Sequence, residues 1–291
     1  MSNVATPNPS KEILERLKSL DALPHFPEAL MKLERAIASD SNISVDDIVS
    51  LVAQDPRMVT RLIELANSAR YSMGNKVTAL SDAIVLIGYQ EVRLMAHAIN
   101  YQSTVKRKPP FSDKHFLKHA FLSGLVAQNL AKFLKLDSGE AFLASLLRDI
   151  GIYLLATEDR DKYLEVIKLT DYDISKLPMA ENKIFNTYHP LMSARLLQQW
   201  GFPVEVVMGV AFHHNPGKAD DAFKPIAHLT FLSEQGVFRL GFDNGIADIN
   251  DEDREEPSAL LLKSLDYFKL PLEKYDELLQ VALNDAEAMN F

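Results

Sequence analysis

Apolar residues along this chain recur at intervals of three and four rather than two, the repeat of a helix that buries one face. The pattern predicts helices near 11–20, 27–39, 44–53, 56–67, 81–87 and 89–101. Further helices are expected near 113–135, 139–156, 160–169, 178–188, 190–200, 204–215 and 222–239, and two last ones near 257–268 and 271–289. Ser44, ahead of Val45-Asp46-Asp47, reads as an N-cap with acid in the first turn, and Asp55-Pro56 as a cap followed by proline at the first helical position. Val77 to Leu80 is too short to count as a strand. The expected class is therefore all-α. A basic, proline-bearing break at Lys106 to Pro110 divides the chain, and an acidic loop is expected from Gly241 to Pro257. The expected organisation is a polar tail with a first helix (1–20), a lobe of short helices (21–105), a second lobe of longer helices (111–240) and C-terminal helices (257–291).

Composition narrows the function classes. The 291 residues are 47% hydrophobic and 24% charged, an ordinary globular balance. A net charge of −9 gives no electrostatic footprint for nucleic acid and argues against docking on an anionic membrane. Without cysteine, disulfide and thiolate chemistry are excluded. Met1 to Ser10 lacks the apolar core of a signal peptide, and no apolar run approaches the ~20 residues of a membrane span, so a cytoplasmic location is expected.

Six of the eight histidines, His115, His119, His189, His213, His214 and His228, lie after residue 110. His119 flanks the apolar line Phe116, Ala120, Gly124, Ala127, Ala131 and Leu134. Spacings of three and four from Phe142, Leu146 and Tyr153 put Asp149 on a buried helix face, inside the charged pair Arg148-Asp149. A histidine on an apolar face is usually a hydrogen-bonded core residue. A buried aspartate, by contrast, needs a cation, a metal or several N–H donors. His214 is expected to share a face with Val207 and Val210, with Val206 and His213 beside it, and His189 precedes Pro190 at a helix start. Several histidines and an aspartate from different helices are one way to build a metal site in a helical bundle.

The order His119, Leu146-Leu147-Arg148-Asp149-Ile150-Gly151, His189-Pro190 and His213-His214 resembles the HD superfamily of metal-dependent phosphohydrolases, with Arg148 where that family has the histidine of its His-Asp pair. The first half narrows the likeness. Leu23-Pro24-His25-Phe26-Pro27, Gln54-Asp55-Pro56-Arg57-Met58, Leu65-Ala66-Asn67-Ser68-Ala69-Arg70-Tyr71 and Ala83-Ile84-Val85-Leu86-Ile87-Gly88 resemble successive motifs of the HDOD family. So does Leu196-Leu197-Gln198-Gln199-Trp200-Gly201-Phe202-Pro203. Read by itself, Asn67-Ser68 terminates a helix, Gly88 is a C-cap and Trp200 is core. The resemblance implies an HD-like helical bundle in a bacterial signalling protein, from a family that has mostly lost its catalytic ligands. It carries over His119, Asp149, His189, His213 and His214 as metal-ligand positions. The related HD-GYP phosphodiesterases have a Gly-Tyr-Pro segment after the paired histidines. This chain reads His213-His214-Asn215-Pro216-Gly217-Lys218 instead, with Lys218 where those enzymes have an aspartate.

Arg148 decides between the chemistries. An arginine has no lone pair to offer a metal, and its charge repels one. It serves as the internal cation that neutralises Asp149, or it points away and leaves the other five residues to hold one ion, or it anchors a phosphate. The leading expectation is a non-catalytic signalling module that binds a protein partner or a small ligand, with a degenerate metal site and no cofactor. The alternative is a metal-dependent phosphohydrolase acting on a nucleotide or phosphate ester with Fe, Mn, Zn, Ni or Mg. Leu260, Leu261, Leu265, Phe268, Leu272, Leu278, Leu279 and Val281 are expected to fold the last helices back onto the second lobe rather than form a docking face.

Overall fold

The computed structural model describes residues 8–19, 44–53, 55–72, 74, 76–103, 108–246 and 256–289. The helix expected near 27–39, the motif at 23–27, Lys106-Arg107 and most of the acidic loop lie outside the described residues. No strand occurs among the described residues, as the three-and-four spacing requires. In the first part, α1 is Pro9–Ser19, α2 Val45–Val52, α3 Pro56–Ala66, α4 Leu80–Ile87 and α5 Tyr89–Ser103. There follow α6 Asp113–Leu134, α7 Ser138–Leu147, α8 Ile150–Glu158, α9 Arg160–Thr170, α10 Leu177–Phe185, α11 His189–Trp200 and α12 Val204–Phe212. The last helices are α13 Lys224–Arg239, α14 Ala259–Tyr267 and α15 Leu272–Ala288.

The caps are local in sequence. Ser44 and Asp47 form a reciprocal capping box at α2, and Ser112, Asp137 and Asp159 accept backbone N–H bonds at the starts of α6, α7 and α9. Gly88 closes α4 as a C-cap. Asn67 does more than end α3. Its amide donates to the Ile63 and Val77 carbonyls and accepts from Val77 N–H, clamping the following loop. Trp200 is only half-buried, against Phe202.

The longest helix, α6, is the axis of the second half and packs against α7, α13 and α15. Its small residues allow the close approach: a Cβ on Gly124 would lie 2.9 Å from the Phe142 ring of α7. The C-terminal helices fold back as their apolar spacing requires, with Leu261, Leu265, Leu279 and Ala282 buried and Tyr275 donating to the Leu232 carbonyl at 2.6 Å. The first helix reaches the same half, where Ser10 meets Thr187 at 2.6 Å and Arg16 pairs with Glu158.

One expectation is corrected. The helix predicted near 139–156 is two helices, α7 and α8, which break at Arg148-Asp149. In an unbroken helix the Gly151 N–H would bond to the Leu147 carbonyl and the Arg148 carbonyl would accept from Ile152. The Ser193 hydroxyl of α11 takes both places, accepting from Gly151 N–H at 2.8 Å and donating to the Arg148 carbonyl at 2.6 Å. Ile152 N–H bonds to the Asp149 carbonyl instead. A side chain inserted into the backbone ladder is a recognised cause of such breaks.

The insertion needs α8 and α11 to touch backbone to backbone. A Cβ on Gly151 would overlap the His189 carbonyl and come 2.7 Å from Ser193 Oγ. Gly151→Ala is expected to destabilise the fold by about 1–3 kcal/mol in urea denaturation, the usual cost of overpacking. Gly217→Ala, which would meet nothing within 4 Å, is expected to leave the midpoint unchanged. Equal midpoints for the two variants would contradict this account.

Candidate metal-site remnant

The break between α7 and α8 turns both members of the charged pair inward. Arg148 is completely buried and Asp149 is 2% exposed. Arg148 Nη1 donates to the Ser145 carbonyl at 2.6 Å, a bond within its own helix end. Its Nη2 lies 3.1 Å from Asp149 Oδ2, and its Nε lies 3.5 Å from Oε1 of Glu234 on α13. The guanidinium thus sits between two buried carboxylates. These are charge contacts rather than aligned hydrogen bonds, because Arg148 Nε and Nη2 and both Glu234 oxygens have no hydrogen-bond partner.

Histidines cover the far side of Asp149. His189 Nε2 and His213 Nε2 lie 3.6 and 3.7 Å from Asp149 Oδ1. His189 is at the start of α11, where the expected helix start before Pro190 is found. Its backbone N–H and its Nδ1 each lie 2.7 Å from Oε2 of Glu181 on α10, while Tyr163 of α9 donates to Oε1 of that carboxylate at 2.8 Å. With Nδ1 donating to Glu181, a neutral His189 accepts at Nε2 from His214 Nε2, 3.0 Å away.

The face expected for His214 is corrected. α12 ends at Phe212, so His214 stands in the following turn and is partly exposed. The buried line is Val206, Val210 and His213, and His213 Nδ1 donates to the Val210 carbonyl at 2.7 Å. His119 is buried and donates from Nδ1 to the Phe242 carbonyl at 3.0 Å.

Two groups of three bring their ligand atoms within 4.8 Å of one another: His189, His213 and His214, and Asp149, His213 and Glu234. The structure therefore assembles Asp149, His189, His213 and His214 but leaves His119 outside both groups. Lys218 is exposed in the turn beyond His214.

The electrostatics follow from burial and this one internal cation. Burial holds His119 well below its ordinary value, and Arg148 adds to the effect. Burial, then His214, His189 and Arg148, do the same to His213, and burial, His189 and Arg148 to His214. His189 is the exception. Burial opposes its charged form, but Glu181, by charge and direct hydrogen bond, and then Asp149 and Glu234 outweigh it and raise its pKa. Burial pushes Glu234 up to about 7, with Arg148 opposing and Asp149 reinforcing the rise.

Glu181 and Glu234 are the residues that sequence reasoning missed. The spacing that located Asp149 also locates them. Glu234 lies three from Phe231 and Val237 and four from Thr230 and Phe238, all buried, and Glu181 lies four from Leu177 and Phe185.

The described motifs of the first half and the His–Asp order of the second lie on one fold, and the HDOD domain family model matches residues 23–216. The chain belongs to the HDOD family. An uncharacterized protein of Treponema pallidum (strain Nichols) is 27% identical over 213 residues, which make up 71% of this chain. This HDOD chain spans only 40% of that relative's length. An HDOD protein of unknown function from Geobacter sulfurreducens superposes with a TM-score of 0.73 at 18% identity, over 97% of this chain and 96% of its own. A Shewanella amazonensis SB2B protein, provisionally named a phosphohydrolase, gives 0.73 at 22% identity over 95% and 96%. At these identities the likeness is one of fold. No helix among the described residues is long and apolar enough to cross a membrane.

Removing the guanidinium leaves two buried carboxylates uncompensated. Breaking a buried pair from one side costs about 3–5 kcal/mol. Glu234 has a raised folded pKa, so its ionisation already costs stability as pH rises from about 4.5 through about 7. Without Arg148, which opposes that rise, the deficit must grow with pH. Arg148→Met is therefore expected to lose more stability relative to wild type at pH 8 than at pH 5. A deficit independent of pH would contradict the assignment of Arg148 as the counter-ion of Glu234.

Proposed function

We propose that this HDOD protein is a non-catalytic regulatory module, in which Arg148 takes the electrostatic place of a metal ion. It acts by binding a signalling protein or a small ligand. The observation that carries this reading is the buried guanidinium within 3.1 Å of Asp149 Oδ2 and 3.5 Å of Glu234 Oε1. Two unit charges ~4 Å apart interact by ~4 kcal/mol at an effective dielectric of ~20, and a divalent ion doubles the repulsion. The same field already helps to suppress a single positive charge on His213 and on His214. With the guanidinium in place, the Asp149–Glu234 side of the site does not fit a divalent cation.

The competing reading is a metal-dependent phosphohydrolase acting on a nucleotide or phosphate ester. Its support is the donor chemistry of His189, His213 and His214, whose nitrogens lie within 4.8 Å of one another. Glu181 behind His189 Nδ1 is the kind of partner that orients a ligating histidine. Fe, Zn and Ni suit such nitrogens by ligand type, whereas Mn and Mg suit oxygen donors.

Elemental analysis of the purified protein for Fe, Mn, Zn and Ni, with phosphatase and phosphodiesterase assays in Mn²⁺ or Mg²⁺, separates the two. The expected result is substoichiometric metal and no turnover above a His213→Ala control, which removes a donor common to both groups. Stoichiometric metal with turnover above that control would overturn the proposal. Arg148→His is expected to raise metal affinity, and unchanged affinity in a folded variant counts against Arg148 as the metal's replacement.

A further inference from the structure

A cavity of about 560 Å³ opens beside His214, between the turn that leads into α10, helix α13 and the start of α14. That volume is in the range of small-molecule sites, about 300–1,000 Å³. Its floor is apolar, with Phe231, Ile174 and Leu261 each no more than 4% exposed. Met179, at its rim, is 72% exposed, an outlying flexible thioether of the sort that packs against rings.

The polar groups of the cavity differ in how they are committed. Its two ionisable chains of fixed charge are both engaged. Arg239 makes a two-pronged contact with Asp276, at 2.6 and 2.9 Å. Asp173 pairs with Lys176 at 3.0 Å and accepts from the Ser175 hydroxyl at 2.6 Å. The side-chain amides of Gln235 and Asn215 also line the cavity. Neither amide has a hydrogen-bond partner among the described residues, and His214 uses only its Nε2, toward His189.

Among the described residues, an anion entering here meets no uncommitted cation and would have to displace Asp276 from Arg239. A neutral ligand finds an apolar floor and free amides that both donate and accept. We propose that this cavity binds an uncharged aromatic small molecule carrying hydrogen-bonding groups, and that it does not select for phosphate. The proposal deepens the non-catalytic reading and rests on it, since a phosphohydrolase would need this mouth to favour an anion.

The test is isothermal titration of the full chain, without added metal, with two pairs of probes that differ in charge: nicotinamide against nicotinate, and adenosine against its 5′-monophosphate. At least one neutral member is expected to bind about tenfold or more tightly than its anionic partner. Gln235→Ala and Met179→Glu, neither of which removes a buried charge, are each expected to weaken that binding by about tenfold while keeping the wild-type melting temperature. Tighter binding of the anions, or no binding of either neutral probe, overturns the proposal. If, in a separate run with Mn²⁺ added, adenosine 5′-monophosphate binds and is hydrolysed to adenosine and phosphate, the non-catalytic reading falls with it. A protein that holds no metal, shows no turnover and binds neither neutral probe loses the cavity assignment alone.

Discussion

A fully buried guanidinium between two carboxylates is the constraint around which the second half of this protein is arranged. Each of these groups alone would be costly to bury. Together they require that α7, α8 and α13 meet at one point, because Arg148, Asp149 and Glu234 come from the end of the first, the start of the second and the middle of the third. The Ser193 hydroxyl makes this meeting possible by occupying the backbone positions that a continuous helix would have used. The break in the helix and the burial of the pair are thus one event.

Around that centre, charge is passed outward through histidines of opposite tendency. His189 is biased toward its charged form by Glu181, while His213 and His214 are biased against it by burial, by His189 and by Arg148. Glu181 is itself fixed by Tyr163, so α9, α10 and α11 form an outer layer that holds the inner one. This layered support is what a metal centre would need, and it is intact in the HDOD chain. Under the proposed reading, Arg148 stands at the central charge position that a metal ion would otherwise hold.

Much of this was legible in the sequence, for identifiable reasons. Helix periods and caps are local properties, so most of the described helices and the Ser44 N-cap could be read directly. The burial of Asp149 followed from spacing. The break at Arg148 did not, because its cause is a hydroxyl 45 residues away in the chain. The face of His214 was misplaced by extending α12 three residues beyond Phe212, where a shift of one position exchanges the buried histidine for the exposed one. Glu181 and Glu234 obeyed the same spacing rule as Asp149. Neither belongs to the His–Asp order of the motif, so spacing alone does not separate them from other acids of amphipathic helices.

The identity of the central cation has a consequence for how such a module is supplied. Under the proposed reading, its counter-charge is made by the ribosome with the rest of the chain. It cannot be stripped by a chelator, oxidised in place or exchanged for a competing ion. A regulator built this way reports on its ligand regardless of the cell's metal economy, whereas a relative that still needs an ion would answer to both.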